Sequence, residues 1–169
     1  MTLRIHGIPA SRAIRPLWAA TELGLAFDHV MTDYKGGHTR TPEFLALNPN
    51  GHIPALEDDT PAGKVVVWES MACTLYIAKA HGKGDGSDLS CANLKEEGEA
   101  LRWAFWVMTE MEKDALTVLM HRMAMPEAER KADLAEAAEG QLRVPLRVLE
   151  GVLSSQAAQG HEYLCAQRF

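Results

Sequence analysis

The sequence predicts an α/β domain followed by an all-α domain, and three observations carry that prediction. In the first half, short strand-like segments take turns with helix-period segments in the order βαβαββα. A polar, glycine-rich stretch, Gly82-Lys83-Gly84-Asp85-Gly86-Ser87-Asp88, then breaks the pattern. Beyond it, apolar residues recur at helical spacing alone. The expected boundaries are 1–81 for the mixed domain, 82–90 for a linker and 91–169 for the helical domain.

Taken in order, Thr2 to His6 sets Leu3 and Ile5 on one face of a short strand. Gly7-Ile8-Pro9 breaks it, and Ser11 stands as an N-cap before a helix carrying Ile14, Leu17, Trp18 and Thr21, which Gly24 closes. Phe27 to Met31 reads as a second strand. Thr41-Pro42-Glu43 starts a second helix with proline in its first turn, and Asn48-Pro49-Asn50-Gly51 stops it. Ile53 to Glu57 and Lys64 to Trp68 form a hairpin around Asp58 to Gly63. A helix from Ser70 to about Lys79 ends at His81-Gly82. In the second half, Leu94, Leu101, Phe105, Met108, Ala115 and Leu119 mark the inner stripe of one long helix, interrupted at Met125-Pro126. A further helix spans about Glu127 to Leu153, with Leu134, Ala138, Leu142, Leu146, Leu149 and Leu153 inside and a kink at Pro145.

Composition removes several function classes. The chain has 169 residues, 47% hydrophobic and 24% charged, which suits a globular protein. Seventeen basic against twenty-three acidic side chains give a net charge of −6, which argues against nucleic acid or an anionic membrane as a partner. No apolar run reaches the ~20 residues of a membrane span, and the N-terminus has no stretch of signal-peptide length. Cys73, Cys91 and Cys165 form no CxxC, so neither a zinc site nor a dithiol centre is expected, and reduced cytoplasm is the simplest compartment.

Four features in the first half bear on chemistry. Ser11 sits at a strand-to-helix turn, where the positive end of a helix dipole favours a thiolate; capping alone is the plainer explanation. No His–Asp pair accompanies it, so a hydrolase triad has no support. Gly51-His52-Ile53-Pro54 enters a strand through an X-Pro bond; a cis bond there would turn the backbone of Ile53 outward toward an extended peptide, and an ordinary trans proline is the alternative. Glu69-Ser70 at a strand-to-helix junction can read the head group of an α-amino acid, the acid pairing the amine and the helix start taking the carboxylate. Lys35, His38 and Arg40 make a basic loop able to bind a second carboxylate, or simply a solvated loop.

The order and spacing of these pieces resemble the glutathione S-transferases. The resemblance rests on Ser11-Arg12-Ala13-Ile14-Arg15-Pro16-Leu17-Trp18, on Glu22-Leu23-Gly24-Leu25, on the run from Pro42 through Asn48-Pro49 to Leu56, and on Glu69-Ser70-Met71-Ala72. It continues more loosely through Trp103 to Glu112 and at Tyr163-Leu164. It implies a thioredoxin-like N-terminal domain, an α-helical C-terminal domain, and conjugation of glutathione, as co-substrate and without a metal, to a small hydrophobic electrophile. By the same resemblance Ser11 is the catalytic residue of a serine-type, bacterial theta- or beta-like member. A tyrosine-type enzyme carries tyrosine where this chain has His6. Ile53 and Pro54 match the clamp on the cysteinyl unit, Glu69 and Ser70 the γ-glutamyl reader, and His38, Thr39 and His52 fall near the glycyl carboxylate. A homodimer is implied as well. A glutathione-dependent isomerase or dehalogenase, or a glutathione-binding module without turnover, are the alternatives on the same scaffold. Cys73 falls at a core position, and Trp103, Phe105, Trp106 and Met108 at core or interface positions. Cys165-Ala166-Gln167 departs from the glycine-aspartate usual in the family, whose central helix would follow; the helical domain is therefore expected to be incomplete.

Overall fold

Alternation of Leu3 and Ile5 with Arg4 and His6 makes the first strand, β1 (Leu3–His6), one-sided, with the two aliphatic side chains fully inside. The computed structural model describes residues 2–165, and its chain falls into two units, Met1–Ala92 and Asn93–Phe169. Residues 166–169, and with them most of the Cys165-Ala166-Gln167 departure, lie outside the described part.

In the first unit β1 pairs in parallel with β2 (Asp28–Val30) and antiparallel with β3 (Ala55–Thr60), which in turn pairs antiparallel with β4 (Gly63–Trp68). The sheet order is β2-β1-β3-β4. Helices α1 (Ile14–Glu22) and α3 (Ser70–His81) build the core with Leu3, Ile5, Ala13, Leu17, Ala20, Leu56, Cys73 and Ile77. The short α2 (Pro42–Leu47) brings Phe44 against His6, ring edge to ring face at 6.1 Å. This is the thioredoxin-like arrangement that the resemblance implies.

Local chemistry explains most boundaries. Gly24, at φ 65°, ends α1: its N–H bonds Thr21 and that of Leu25 bonds Ala20, the two closures of a Schellman motif. Thr41 caps α2 by accepting the Phe44 N–H at 3.3 Å, with Pro42 in the first turn. Cys73 is a core residue: its thiol donates to the Val67 carbonyl, and burial pushes its pKa up to about 12, so it is inert as a nucleophile at neutral pH.

One expectation fails here for a physical reason. The hairpin does not turn over Asp58 to Gly63; both aspartates belong to β3 and the turn is only Pro61-Ala62. Asp58 is 1% exposed and stays inside because Tyr76 Oη (2.7 Å) and His81 Nε2 (2.8 Å) reach it from α3. Residues 82–90, expected as a linker, are held by hydrogen bonds of their own. Asp88 accepts the N–H groups of Lys83 and Ser90, Ser90 Oγ accepts that of Gly84, and Leu89 packs on the core.

The second unit is helical: α4 (Leu94–Trp106) and α5 (Glu112–Leu119) are joined by a wide π-type segment at Val107–Met111, and α6 is Ala132–Ala158 with Pro145 inside it. Asn93 caps α4 through the Glu96 N–H. The inward stripes differ from those expected. On α4 the buried position is Ala104, while Phe105 stays 65% exposed. On α6 Ala135, Ala138 and Pro145 are buried, whereas Leu134, Leu146 and Leu153 are exposed. Small residues let the helices approach closely, so the larger leucines flank the seam instead of filling it. Arg122 pairs with Glu139 at 2.8 Å across this unit. Among the described residues no helix is long and apolar enough to cross a membrane.

Candidate functional site

One end of the sheet gathers most of the predicted residues. Ala55 lies opposite His6 on one side and Trp68 on the other, so the end of β1, the start of β3 and the end of β4 share that edge. Gly7 follows β1 at φ 144°, a conformation for which glycine is suited. A Cβ on Gly7 would come within 2.6 Å of Ala13 Cβ and 3.4 Å of Ile53 Cβ. The missing side chain therefore lets Gly7 sit between Ala13, two residues after Ser11, and Ile53. Trp68 leads at once into Glu69 and Ser70 at the start of α3, and Arg15 Nη1 of α1 donates to Ser70 Oγ at 3.0 Å. Ser11, Ile53, Pro54, Glu69 and Ser70 thus converge from three separate segments.

Ser11 is not the N-cap of α1, which begins three residues later at Ile14 with Ala13 in the cap position. Its hydroxyl donates to the Ile8 carbonyl at 2.6 Å and accepts the Ala13 N–H at 3.1 Å, so it stitches the turn ahead of the helix. The side chain remains partly exposed. Ser70 is likewise the first helical residue rather than the cap; Glu69 holds the cap position at φ 73°, the one non-glycine residue with positive φ among those described. Such a conformation costs on the order of 1–3 kcal/mol and persists where the surroundings enforce it. The Ile53–Pro54 bond is cis, and among the described residues no hydrogen bond takes up the backbone N–H or C=O of Ile53.

The basic loop stands differently. Arg40 donates to the Asn50 carbonyl at 3.2 Å, and Gly51 (φ 61°) leaves room where a Cβ would strike the Arg40 guanidinium and the Thr39 carbonyl. That contact fixes the 38–40 turn on the segment leading to Ile53. Thr39 is buried, whereas His38 and His52 are exposed. His38 lines an open recess of about 400 Å³ with His6, Met31, Thr32, Thr41, Glu43, Phe44 and Leu47; none of the other predicted residues lines it. A recess of similar size at the end of α6, lined by Leu153, Ala157, Gly160, His161 and Glu162, includes none of them. No group of three or more His, Cys, Asp or Glu able to hold a metal ion occurs among the described residues.

Three positioning groups escaped the sequence reading. Asn48, nearly fully buried, donates to the His52 carbonyl at 2.7 Å and accepts the Asn50 N–H, shaping the turn that delivers Ile53. Arg15 looked like one more helical residue. His6 Nε2 bonds Glu57 Oε1 at 3.0 Å, and Lys64 Nζ bonds the other oxygen at 2.7 Å. Burial alone would raise the Glu57 pKa, but those two partners outweigh it and hold the carboxyl below its usual value. The carboxylate thereby anchors the last side chain of β1 just before the Ser11 turn.

Comparison with known proteins fits this geometry. Glutathione S-transferase F10 of Arabidopsis thaliana is 30% identical over 166 residues, covering 97% of this chain and 73% of that protein. The chain belongs to the glutathione S-transferase family. Residues 1–79 match the glutathione S-transferase N-terminal domain, the span that holds every predicted site residue. A glutathione S-transferase of Silene vulgaris is 39% identical over 105 residues, 61% of this chain and 46% of that protein, so the chain spans under half the length of that relative. The transferase fold recurs in the solved structure of Ure2p in complex with glutathione, at a TM-score of 0.83 and 21% identity, over 98% of this chain and 73% of that one.

Proposed function

We propose that this chain binds glutathione at the sheet end described above and activates its thiol for transfer to a small hydrophobic electrophile. The single observation that carries the reading is the convergence, inside the region matching the transferase N-terminal domain, of Ser11, the unpaired backbone of Ile53 and the Glu69-Ser70 helix start. Each supplies what one part of the tripeptide needs. Ser11 offers a hydroxyl to the sulfur and makes this a serine-type member, with bacterial theta- and beta-like enzymes as its proposed subgroup. Ile53, set by Pro54, pairs with the cysteinyl backbone as an extended peptide would. Glu69 and Ser70 hold the γ-glutamyl amine and carboxylate, and His38 and His52 the glycyl carboxylate. Positioning plus thiolate stabilisation is the whole catalytic strategy, with no metal required. Residues 1–81 form the glutathione-binding domain and 91–169 the helical domain, in a cytoplasmic homodimer.

A second reading, a glutathione-binding module without turnover, is favoured by one fact: all proposed contacts lie within residues 1–79, so binding calls on nothing in the helical unit. A glutathione-dependent isomerase or dehalogenase would use the same thiolate and separates by substrate profile. The chain, applied to immobilised glutathione, is expected to be retained and eluted by free glutathione, and to form a thioether with a generic aryl halide. Retention without turnover supports the module; failure to be retained overturns both.

A further inference from the structure

At Gly7 the chain leaves the sheet for the turn that bears Ser11, and two hydrogen bonds from β2 meet it there. The Gly7 N–H donates to the Val30 carbonyl at 3.0 Å, which continues the parallel ladder. The Gly7 carbonyl accepts from Nε2 of His29, 22 positions away, at 2.8 Å. A carbonyl can only accept, so Nε2 of His29 carries the hydrogen. Gly7 sits at φ 144°, where glycine has a latitude that other residues lack, so its own residue type does not settle the orientation of the 7–8 peptide. The bond from His29 does. The chain then passes to Ile8, whose carbonyl accepts the Ser11 hydroxyl at 2.6 Å. The bonds from Ile14 N–H to the Ser11 carbonyl and from Arg15 N–H to the Arg12 carbonyl are local to the turn and the first turn of α1. The Ser11 hydroxyl is thus located relative to the sheet through Ile8, Gly7 and His29 in succession.

We propose that His29 is a positioning residue for Ser11, acting through the Gly7 carbonyl; this rests on the reading of Ser11 as the group that stabilises the glutathione thiolate. A hydrogen bond from a hydroxyl to a thiolate is directional, and its effect falls steeply when the donor is displaced. The contacts proposed for the rest of the tripeptide, at Ile53, Glu69 and Ser70, lie on other segments and do not pass through His29. Loss of the His29 bond therefore raises the pH at which the bound thiol ionises and slows turnover, with little change in glutathione affinity. A merely structural link between β1 and β2 would instead lower the melting temperature and leave the ionisation of the bound thiol where it was.

The test uses the full chain as wild type, His29→Leu, His29→Gln, His29→Asn, Ser11→Ala and the His29→Leu/Ser11→Ala pair. Glutamine carries its amide N–H about as far from the backbone as Nε2 of histidine, whereas the asparagine amide stops short of it. Bound-thiol ionisation is followed by ultraviolet thiolate absorbance, glutathione affinity by calorimetry and turnover with a generic aryl halide, with thermal melts alongside. His29→Leu is expected to lower kcat/KM about tenfold and move the bound thiol toward the ionisation of free glutathione, with Kd within about threefold of wild type. His29→Gln should restore most of both losses and His29→Asn should not. On the Ser11→Ala background His29→Leu should cost less than about twofold, because the two act as one unit. Wild-type thiol ionisation in His29→Leu, glutamine no better than asparagine, or a full loss on the Ser11→Ala background overturns the role of His29 and leaves the reading of Ser11 intact. If the leucine variant does not fold, the contrast between glutamine and asparagine makes the same decision. Wild type that fails to bind glutathione, or binds it with a thiol that ionises as in solution, overturns the underlying reading and this proposal with it.

Discussion

Replacing Ser11 with alanine lowers kcat/KM for conjugation by about 10²–10³-fold while the Kd for glutathione stays within about threefold of wild type. The asymmetry follows from where the hydroxyl acts. In the proposed site it contributes one hydrogen bond to a thiolate, an interaction that matters when charge sits on sulfur, whereas the proposed holders of the tripeptide are Ile53, Glu69 and Ser70. In the structure the Ser11 hydroxyl donates to the Ile8 carbonyl at 2.6 Å. A thiolate is a stronger acceptor than a peptide carbonyl and draws that proton to itself on binding. The same residue accepts the Ala13 N–H, so the variant also loosens the turn, at a cost of about 1–2 kcal/mol. Steady-state kinetics, calorimetry and a thermal melt on one preparation separate the two effects. Unchanged turnover contradicts the catalytic assignment.

Replacing Asp58 with alanine destabilises the first unit by about 2–4 kcal/mol. The carboxylate is almost wholly buried, and removal strands Tyr76 Oη and frees His81 at the end of α3. Burial, reinforced by the hydrogen bond to Asp58, pushes the Tyr76 pKa up to about 12, so the phenol remains a donor and needs its acceptor at any ordinary pH. Asp58→Asn keeps an acceptor oxygen and should lose markedly less. Asp58 lies opposite Leu3, at the other end of the β1–β3 ladder from His6 and Ala55, so glutathione affinity of the folded variant should be unchanged. Urea titration gives the stability, and a loss below about 0.5 kcal/mol would contradict the role assigned to this buried cluster.

How much of this was legible in the sequence depended on whether the cause was local. Thr41-Pro42 and the Asn48-Pro49-Asn50-Gly51 stop bracket α2 through local chemistry and were readable, although the bond by which Asn48 shapes the turn to Ile53 was not. Gly24 closed α1 for the same reason. Asp58 looked like a turn residue because what keeps it inside, Tyr76 and His81, lies 18 and 23 positions away. Ser11 was misread as a cap because a serine before an apolar helix looks the same whether it bonds the helix or the turn ahead of it. The helical seams were shifted because alanines and a proline, not leucines, make the close contacts on α6. At the candidate site, the residues named from short motifs lie mostly at one end of the sheet, while the contact of Arg15 was not legible. Its partner Ser70 stands 55 positions on, and nothing in a helical arginine signals that it meets a buried serine.

The central claim is that this chain binds glutathione and stabilises its thiolate at Ser11. The most direct test is the ultraviolet thiolate absorbance of bound glutathione followed against pH, for wild type and Ser11→Ala. Lowering of the bound thiol pKa by at least about one pH unit from the ~8.5 of a free thiol, with return toward that value in the variant, is the predicted result. A bound thiol that ionises like free glutathione in both proteins would contradict the account.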